Sequence, residues 1–189
     1  MEEVEKAYDQ GCRYLQGDGV TRDYEKGIEY LRQAADLGSA KAQYNLGICL
    51  HQGTGSEEAY HYFQLAAKQG HPRAYYLLGC YFAFGFLFPP SETEALHYFR
   101  LAADGGIVEA QYNLAIFLLH EKETEKAVHY FKLAAHQGNA DAQYNLGICY
   151  YKGLGTSASR DKAIHYLELA LEQGQSKASE ALETVLMNS

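Results

Sequence analysis

"AQYNLG", residues 42–47, returns without a change at 142–147 and as "AQYNLA" at 110–115, with "AYYLLG" at 74–79 as a variant. The alanines that open these segments and the last related one, Ala42, Ala74, Ala110, Ala142 and Ala178, are spaced by 32, 36, 32 and 36 residues. Self-similarity at such a period marks a stack of repeats, each too small to bury its own apolar face. Stepping 36 residues back from Ala42 reaches Lys6, where "KAYDQG" is a degenerate first copy. A second block follows each time: "GIEYLRQAADLG", "AYHYFQLAAKQG", "ALHYFRLAADGG", "AVHYFKLAAHQG" and "AIHYLELALEQG".

Both blocks have helical spacing. Ala42, Leu46, Cys49 and Leu50 share one face of the first, here helix A; Ala59, Tyr62, Phe63 and Ala66 share one face of the second, helix B. Between them stand the turn signals Gly17-Asp18-Gly19, Gly53-Thr54-Gly55 and Gly153-Leu154-Gly155. Gly38, Gly70, Gly106, Gly138 and Gly174 close the second blocks, where a left-handed helix cap belongs. Ser91 with Glu94 forms a capping box before the third B helix. The 32-residue copies drop four residues, close to one helical turn, so the faces stay in phase. Repeat four has lost the Gly-x-Gly turn altogether. The pattern predicts an all-α, α-α superhelix, one solenoid domain over residues 1–189. Its repeats fall at about 5–40, 41–72, 73–108, 109–140 and 141–176. A capping helix over 177–187 places Ala178, Ala181, Leu182, Val185 and Leu186 inward and polar residues outward.

Composition narrows the function. Of the 189 residues, 47 % are hydrophobic and 21 % charged, which is a folded rather than a disordered balance. The formal charge is −8 without a lysine or arginine cluster, so neither nucleic acid nor an anionic membrane surface is an expected partner. No stretch has the length of a membrane span, and "MEEVEKAYDQ" lacks the apolar segment of a signal peptide. Cys12, Cys49, Cys80 and Cys149 never form C-x-x-C and recur at matching places, as small buried residues do. Reduced thiols suit a cytoplasmic protein.

With A-x-x-x-L-G-x-x-Y-x-x-G-x-G, matched without a gap by "AQYNLGICYYKGLG" at 142–155, and with K-A-x-x-Y and A-A-x-x-G after it, the sequence resembles the Sel-one-like repeat family, relatives of tetratricopeptide repeats. The resemblance covers about residues 5–186. It implies a right-handed superhelix with A helices on the concave side, and adaptors that bind a protein or peptide without a cofactor. It also allows delivery into a host cytoplasm as a bacterial effector. The paired cysteines of the secreted, penicillin-binding branch are missing here.

By that family geometry, the places two, six and nine after the marker alanine face the concavity. Tyr8, Tyr44, Tyr76, Tyr112 and Tyr144 hold the first place. Cys12, Ile48, Cys80, Ile116 and Ile148 hold the second. Tyrosine is enriched where partners bind, although the same rings can simply pack between neighbouring A helices. Asn45, Asn113 and Asn145 follow the tyrosines, with Asp9 and Leu77 in the other copies. Related superhelices hold a peptide backbone there, since an amide donates and accepts at once; a structural amide tying a neighbouring helix is the other reading. The expected partner-binding set is therefore Tyr44, Asn45, Ile48, Tyr76, Tyr112, Asn113, Ile116, Tyr144, Asn145 and Ile148.

Three features point elsewhere. His61, His97, His129 and His165 recur along the B helices, with Glu57, Glu125 and Asp161 one turn before three of them. Stacked helices lie about 8–10 Å apart, too far for adjacent histidines to share a metal, so no metal site is expected and a solvated face is. Ser159-Arg160-Asp161-Lys162 fits S-x-x-K, yet neither S-D-N nor K-T-G occurs, so a serine hydrolase is only a remote alternative and no catalytic residue is expected. Finally, "FGFLFPP" replaces the polar turn of repeat three with Phe84, Phe86, Leu87 and Phe88. Four large apolar side chains left in water would forgo about 6–12 kcal/mol, as much as a whole domain's stability. The loop at 84–90 is therefore expected to be covered, by its own repeat or by another molecule, which makes the chain a monomer or a weak homodimer.

Overall fold

A computed structural model describes residues 2–51 and 56–187. Among them are eleven α-helices and no strand: α1 Glu2–Gln16, α2 Tyr24–Asp36, α3 Ala40–His51, α4 Glu57–Lys68, α5 Pro72–Phe84, α6 Glu92–Asp104, α7 Val108–His120, α8 Thr124–His136, α9 Ala140–Lys152, α10 Arg160–Glu172 and α11 Ala178–Met187. The odd-numbered helices are the A helices and the even-numbered ones the B helices. The turn expected at Gly53-Thr54-Gly55 lies outside the described residues. Backbone contacts gather the chain into two compact units, Met1–Leu101 and Ala102–Ser189.

In the first unit α1 packs on α2, α2 on α3, α3 on α4 and α4 on α5. The second-block stripe is buried throughout, at Ala59, Tyr62, Phe63 and Ala66. In the first block Ala42 and Leu46 are buried while Cys49 and Leu50 are half-buried. Small residues let the paired helices approach. A side chain at Gly47 would begin 2.5 Å from the Phe63 ring, well inside van der Waals contact.

Each B helix ends as the glycines predict. Gly38, Gly70, Gly106, Gly138 and Gly174 all take positive φ, and at the first the Gly38 and Ser39 N–H groups donate to the Ala35 and Ala34 carbonyls at 2.9 and 3.0 Å. Helix starts are capped by Asp23, Ser56, Asn139 and Ser159, whose side chains accept from backbone N–H groups one turn on. Only half of the box at Ser91 forms. Its hydroxyl accepts from the Glu94 N–H, but its own N–H donates to the Phe82 carbonyl, which leaves Glu94 nothing to bond there. In repeat four, Lys122 takes the left-handed turn conformation that glycine supplies elsewhere, at φ 62°.

In the second unit α7 packs on α8, α8 on α9, α9 on α10, and α11 on both α10 and α9. Ala178 and Val185 of α11 are buried and Ala181 and Leu182 half-buried. Leu186, expected inward, is 49 % exposed. Leu50 and Tyr150 at the same place are covered by the B helix that follows them, and α11 has no such helix after it among the described residues. Arg160 instead fastens its end, donating to the Val185 and Leu186 carbonyls at 3.2 and 2.8 Å.

Candidate partner-binding faces

The A-helix tyrosines stand half in and half out. Tyr44, Tyr76, Tyr112 and Tyr144 are each half-buried, and three lean on a B-helix ring of their own repeat: Tyr44 on Phe63 at 6.2 Å, Tyr76 on Phe99 at 5.7 Å and Tyr112 on Phe131 at 6.2 Å. Burial, then the Asp141 carboxylate, raise the Tyr112 hydroxyl above its ordinary pKa against the opposing hydrogen bond from Asn145. Ile48 is 43 % exposed, and Ile116 and Ile148 are half-buried. In the first unit α3 thus presents Tyr44 and Ile48 on an accessible face. In the second, α7 presents Tyr112 and Ile116, and α9 presents Tyr144 and Ile148.

The asparagines are partly engaged. Asn45 Nδ2 donates to the Tyr8 hydroxyl at 3.0 Å, tying α3 to α1, and Asn145 Nδ2 donates to the Asp141 carbonyl at 2.8 Å. Asn113 is half-buried on α7. For Asn45 and Asn145 the donor is spent on the fold, and the amide oxygen is the group left to meet a peptide N–H.

Sequence reasoning passed over the glutamine beside each of these tyrosines. Gln43, Gln111 and Gln143 are the buried polar side chains among the described residues. Each Nε2 donates to a carbonyl of the preceding B helix (Ala35, Ala103 and Ala135, at 3.1, 3.2 and 3.3 Å). Each Oε1 accepts from a glutamine at the end of its own B helix: Gln69, Gln137 and Gln173, at 2.8, 2.8 and 2.6 Å. The signal was present. Repeats two, four and five carry both glutamines, whereas repeat three has Tyr75 and Gly105 and repeat one Ala7 and Leu37.

The phenylalanine loop folds back on the first unit. Phe86 and Leu87 are half-buried against the cluster of Phe63, Leu78 and Tyr81. Phe86 meets the His51 and Tyr81 rings edge-on, both at 5.4 Å, and Phe88 meets Tyr60 at 5.2 Å and Phe82 at 5.7 Å. Within the chain the cover is incomplete: Phe88 is 40 % and Phe84 69 % exposed. Phe84 is the last residue of α5, and its ring meets Phe86 at 5.8 Å.

Beneath the loop, the Tyr81 hydroxyl accepts from the Ser56 N–H, donates to the Ser56 carbonyl and lies 3.0 Å from His51 Nδ1. Burial among these rings lowers the His51 pKa. His71, stacked on Tyr44 at 4.6 Å, is lowered by burial and then by Arg73 and Lys41, and its Nδ1 is buried without a partner. Both imidazoles resist protonation in the fold, so the unfolded chain binds more protons once the pH falls into the ordinary histidine range near about 6.5. The stability they allow is complete above that pH and is lost as the pH falls through their lowered folded values. We expect the urea midpoint to be lower at acidic than at neutral pH, above the carboxylate range. His51→Asn/His71→Asn should flatten that slope, Asn139 already holding the second place in repeat five. An undiminished slope in the variant would refute the assignment.

Elsewhere, His61, His97, His129 and His165 are exposed, each edge-on to the tyrosine after it. No group of three or more metal-ligating side chains occurs among the described residues. The Ser159 hydroxyl accepts from the Lys162 N–H as the cap of α10, while the Lys162 ammonium lies 5.2 Å from the Tyr150 ring centre. The S-x-x-K match is thus used as a helix start. All four cysteines are free thiols, and burial pushes Cys149 up to about 11.

Known proteins agree with the repeat geometry. The Sel1 repeat model matches five times, at residues 7–39, 40–71, 72–107, 108–139 and 140–175. A protective antigen of uropathogenic Escherichia coli strains, displaying an SLR fold, is 29 % identical with a TM-score of 0.83 over 96 % of this chain and 41 % of that one. A Sel1 repeat protein from Oxalobacter formigenes is 29 % identical with a TM-score of 0.79, covering 95 % of this chain and 74 % of its own. The DAP3-binding cell death enhancer 1 of Rattus norvegicus is 50 % identical over 36 residues, 19 % of this chain and only 7 % of that protein. Sel1-repeat proteins generally mediate protein–protein interaction. Five tandem matches on α-helical pairs of this fold establish that the chain belongs to the Sel1-repeat family.

Proposed function

We propose that the chain is a non-catalytic scaffold that holds a peptide or protein against its A-helix faces. The observation that supports this is the recurrence, in each unit, of a half-buried tyrosine beside an accessible isoleucine. Rings already seated on B-helix phenylalanines lose little freedom when a partner covers them, so their apolar edges can be buried at low entropic cost. The amide oxygens of Asn45, Asn113 and Asn145 supply acceptors for a partner backbone. Free thiols suit a reducing, cytoplasmic compartment.

The test is capture with wild type and with Tyr44→Glu/Tyr112→Glu/Tyr144→Glu, the variant's folding verified by circular dichroism. A protein captured by wild type and lost by the folded variant is the expected result. Retention of the same protein by the variant would sink the A-helix reading for it. A second reading, self-association, draws on the exposure of Phe84 and Phe88 alone. Light scattering that rises with concentration in wild type and not in Phe84→Ser would favour it.

A further inference from the structure

At one end of the second unit, α9 and α11 enclose an open cleft of about 350 Å³. Tyr144 and Ile148 of α9 and Ala181 of α11 give it apolar walls, and Lys152, Lys177 and Glu180 stand among its lining residues. Such a volume lies at the lower end of ligand-binding clefts and suits one large side chain rather than a folded domain. The charge is unusual for this chain. Two lysines and one glutamate line it, in a protein of formal charge −8. Neither Lys152 nor Lys177 enters an ion pair within 4.0 Å among the described residues, although Glu180 is one helical turn from Lys177. The cleft beside Tyr8 in the first unit has the opposite balance, Glu5 and Asp9 against Lys41.

We propose that the α9–α11 cleft receives an acidic peptide segment, with one aromatic or branched apolar side chain between Tyr144, Ile148 and Ala181 and a neighbouring Asp or Glu carboxylate at Lys152 and Lys177. The proposal rests on the A-helix reading above and specifies its partner in this unit. The apolar side chain gives affinity by leaving water, and the carboxylate gives selectivity, since two unpaired ammonium groups lose least by meeting an anion. Glu180, on the same wall, disfavours a second carboxylate and limits the site to a single acid next to the apolar anchor.

The experiment is selection of a random peptide library displayed on phage against the full chain, followed by binding of the selected peptides to variants. Sequences pairing a large apolar residue with an adjacent Asp or Glu should be enriched. Their affinity should fall about tenfold or more in Lys152→Glu/Lys177→Glu, less in Lys152→Gln/Lys177→Gln, and with rising salt in wild type. Both lysines are exposed, so these variants should fold. Peptides without an acid, or acidic peptides bound equally by the charge variants yet lost by Tyr112→Glu, would overturn the acidic-cleft proposal and leave the A-helix reading standing. Selection of nothing, or of peptides insensitive to every variant including Tyr44→Glu and Tyr112→Glu, would overturn both.

Discussion

Gly155→Ala is expected to destabilise the protein by about 3–4 kcal/mol, a loss of roughly 10 °C in Tm for a chain of this size. Two costs combine. Gly155 has φ 63°, where an L side chain is strained by about 1 kcal/mol. Its Cβ would also lie 2.2 Å from the Thr124 carbonyl oxygen and 2.7 Å from the Glu125 nitrogen. Those are backbone atoms at the start of α8, whose next turn carries the buried Ala127 and Val128, so the helix cannot withdraw without opening the core. Gly153 is the control. It has φ 66°, but its nearest neighbour to a new Cβ is Ala158 at 3.5 Å, an ordinary contact, so Gly153→Ala should cost only about 1 kcal/mol. Urea and thermal unfolding of the two variants side by side make the comparison. Equal losses would mean that the close approach to Thr124 carries no energy.

Phe86→Ser/Phe88→Ser should cost about 2–4 kcal/mol at an unchanged oligomeric state, because both rings take part of their area out of water on Tyr60, Tyr81 and Phe82. Phe84→Ser, at a residue 69 % exposed, should stay within about 0.5 kcal/mol. Melting together with light scattering separates the alternatives. A double variant that melts like wild type but no longer self-associates would make the loop an intermolecular interface instead of a fold-back.

The all-helical architecture was legible because the chain states it five times over, and repetition removes the ambiguity that a single apolar run carries. The ends of the B helices were legible for a local reason: a glycine such as Gly38 acts on backbone groups within a turn of itself. Long-range bonds were harder. Nothing around Gln43 reveals that Gln69 meets it; only comparison across repeats, with both glutamines replaced together in repeats one and three, exposes the pairing. Ser91 misled because the capping box is written locally, while its N–H was claimed by Phe82. The path of the phenylalanine loop was not legible, because an argument from total apolar area treats four residues alike, whereas Phe86 is half-buried and Phe84 is 69 % exposed. The binding faces were legible only as positions. That Asn45 spends its donor on Tyr8 required the neighbouring helix to be in place.

The paired glutamines make the helix pair, rather than the single helix, the smallest exchangeable cassette of this protein. Both members of each pair lie in one repeat, and what they ask of the preceding repeat is a main-chain carbonyl that any sequence provides. Duplication or deletion at the junction before an A helix therefore keeps every buried amide satisfied. Grafting an A helix alone does not. Moved into a repeat whose second block lacks the partner glutamine, as repeats one and three do, α3 would leave the Gln43 amide oxygen without its donor, at a cost of about 1–3 kcal/mol. Gene rearrangements that respect the pair can lengthen or shorten the array cheaply, and those that split it cannot.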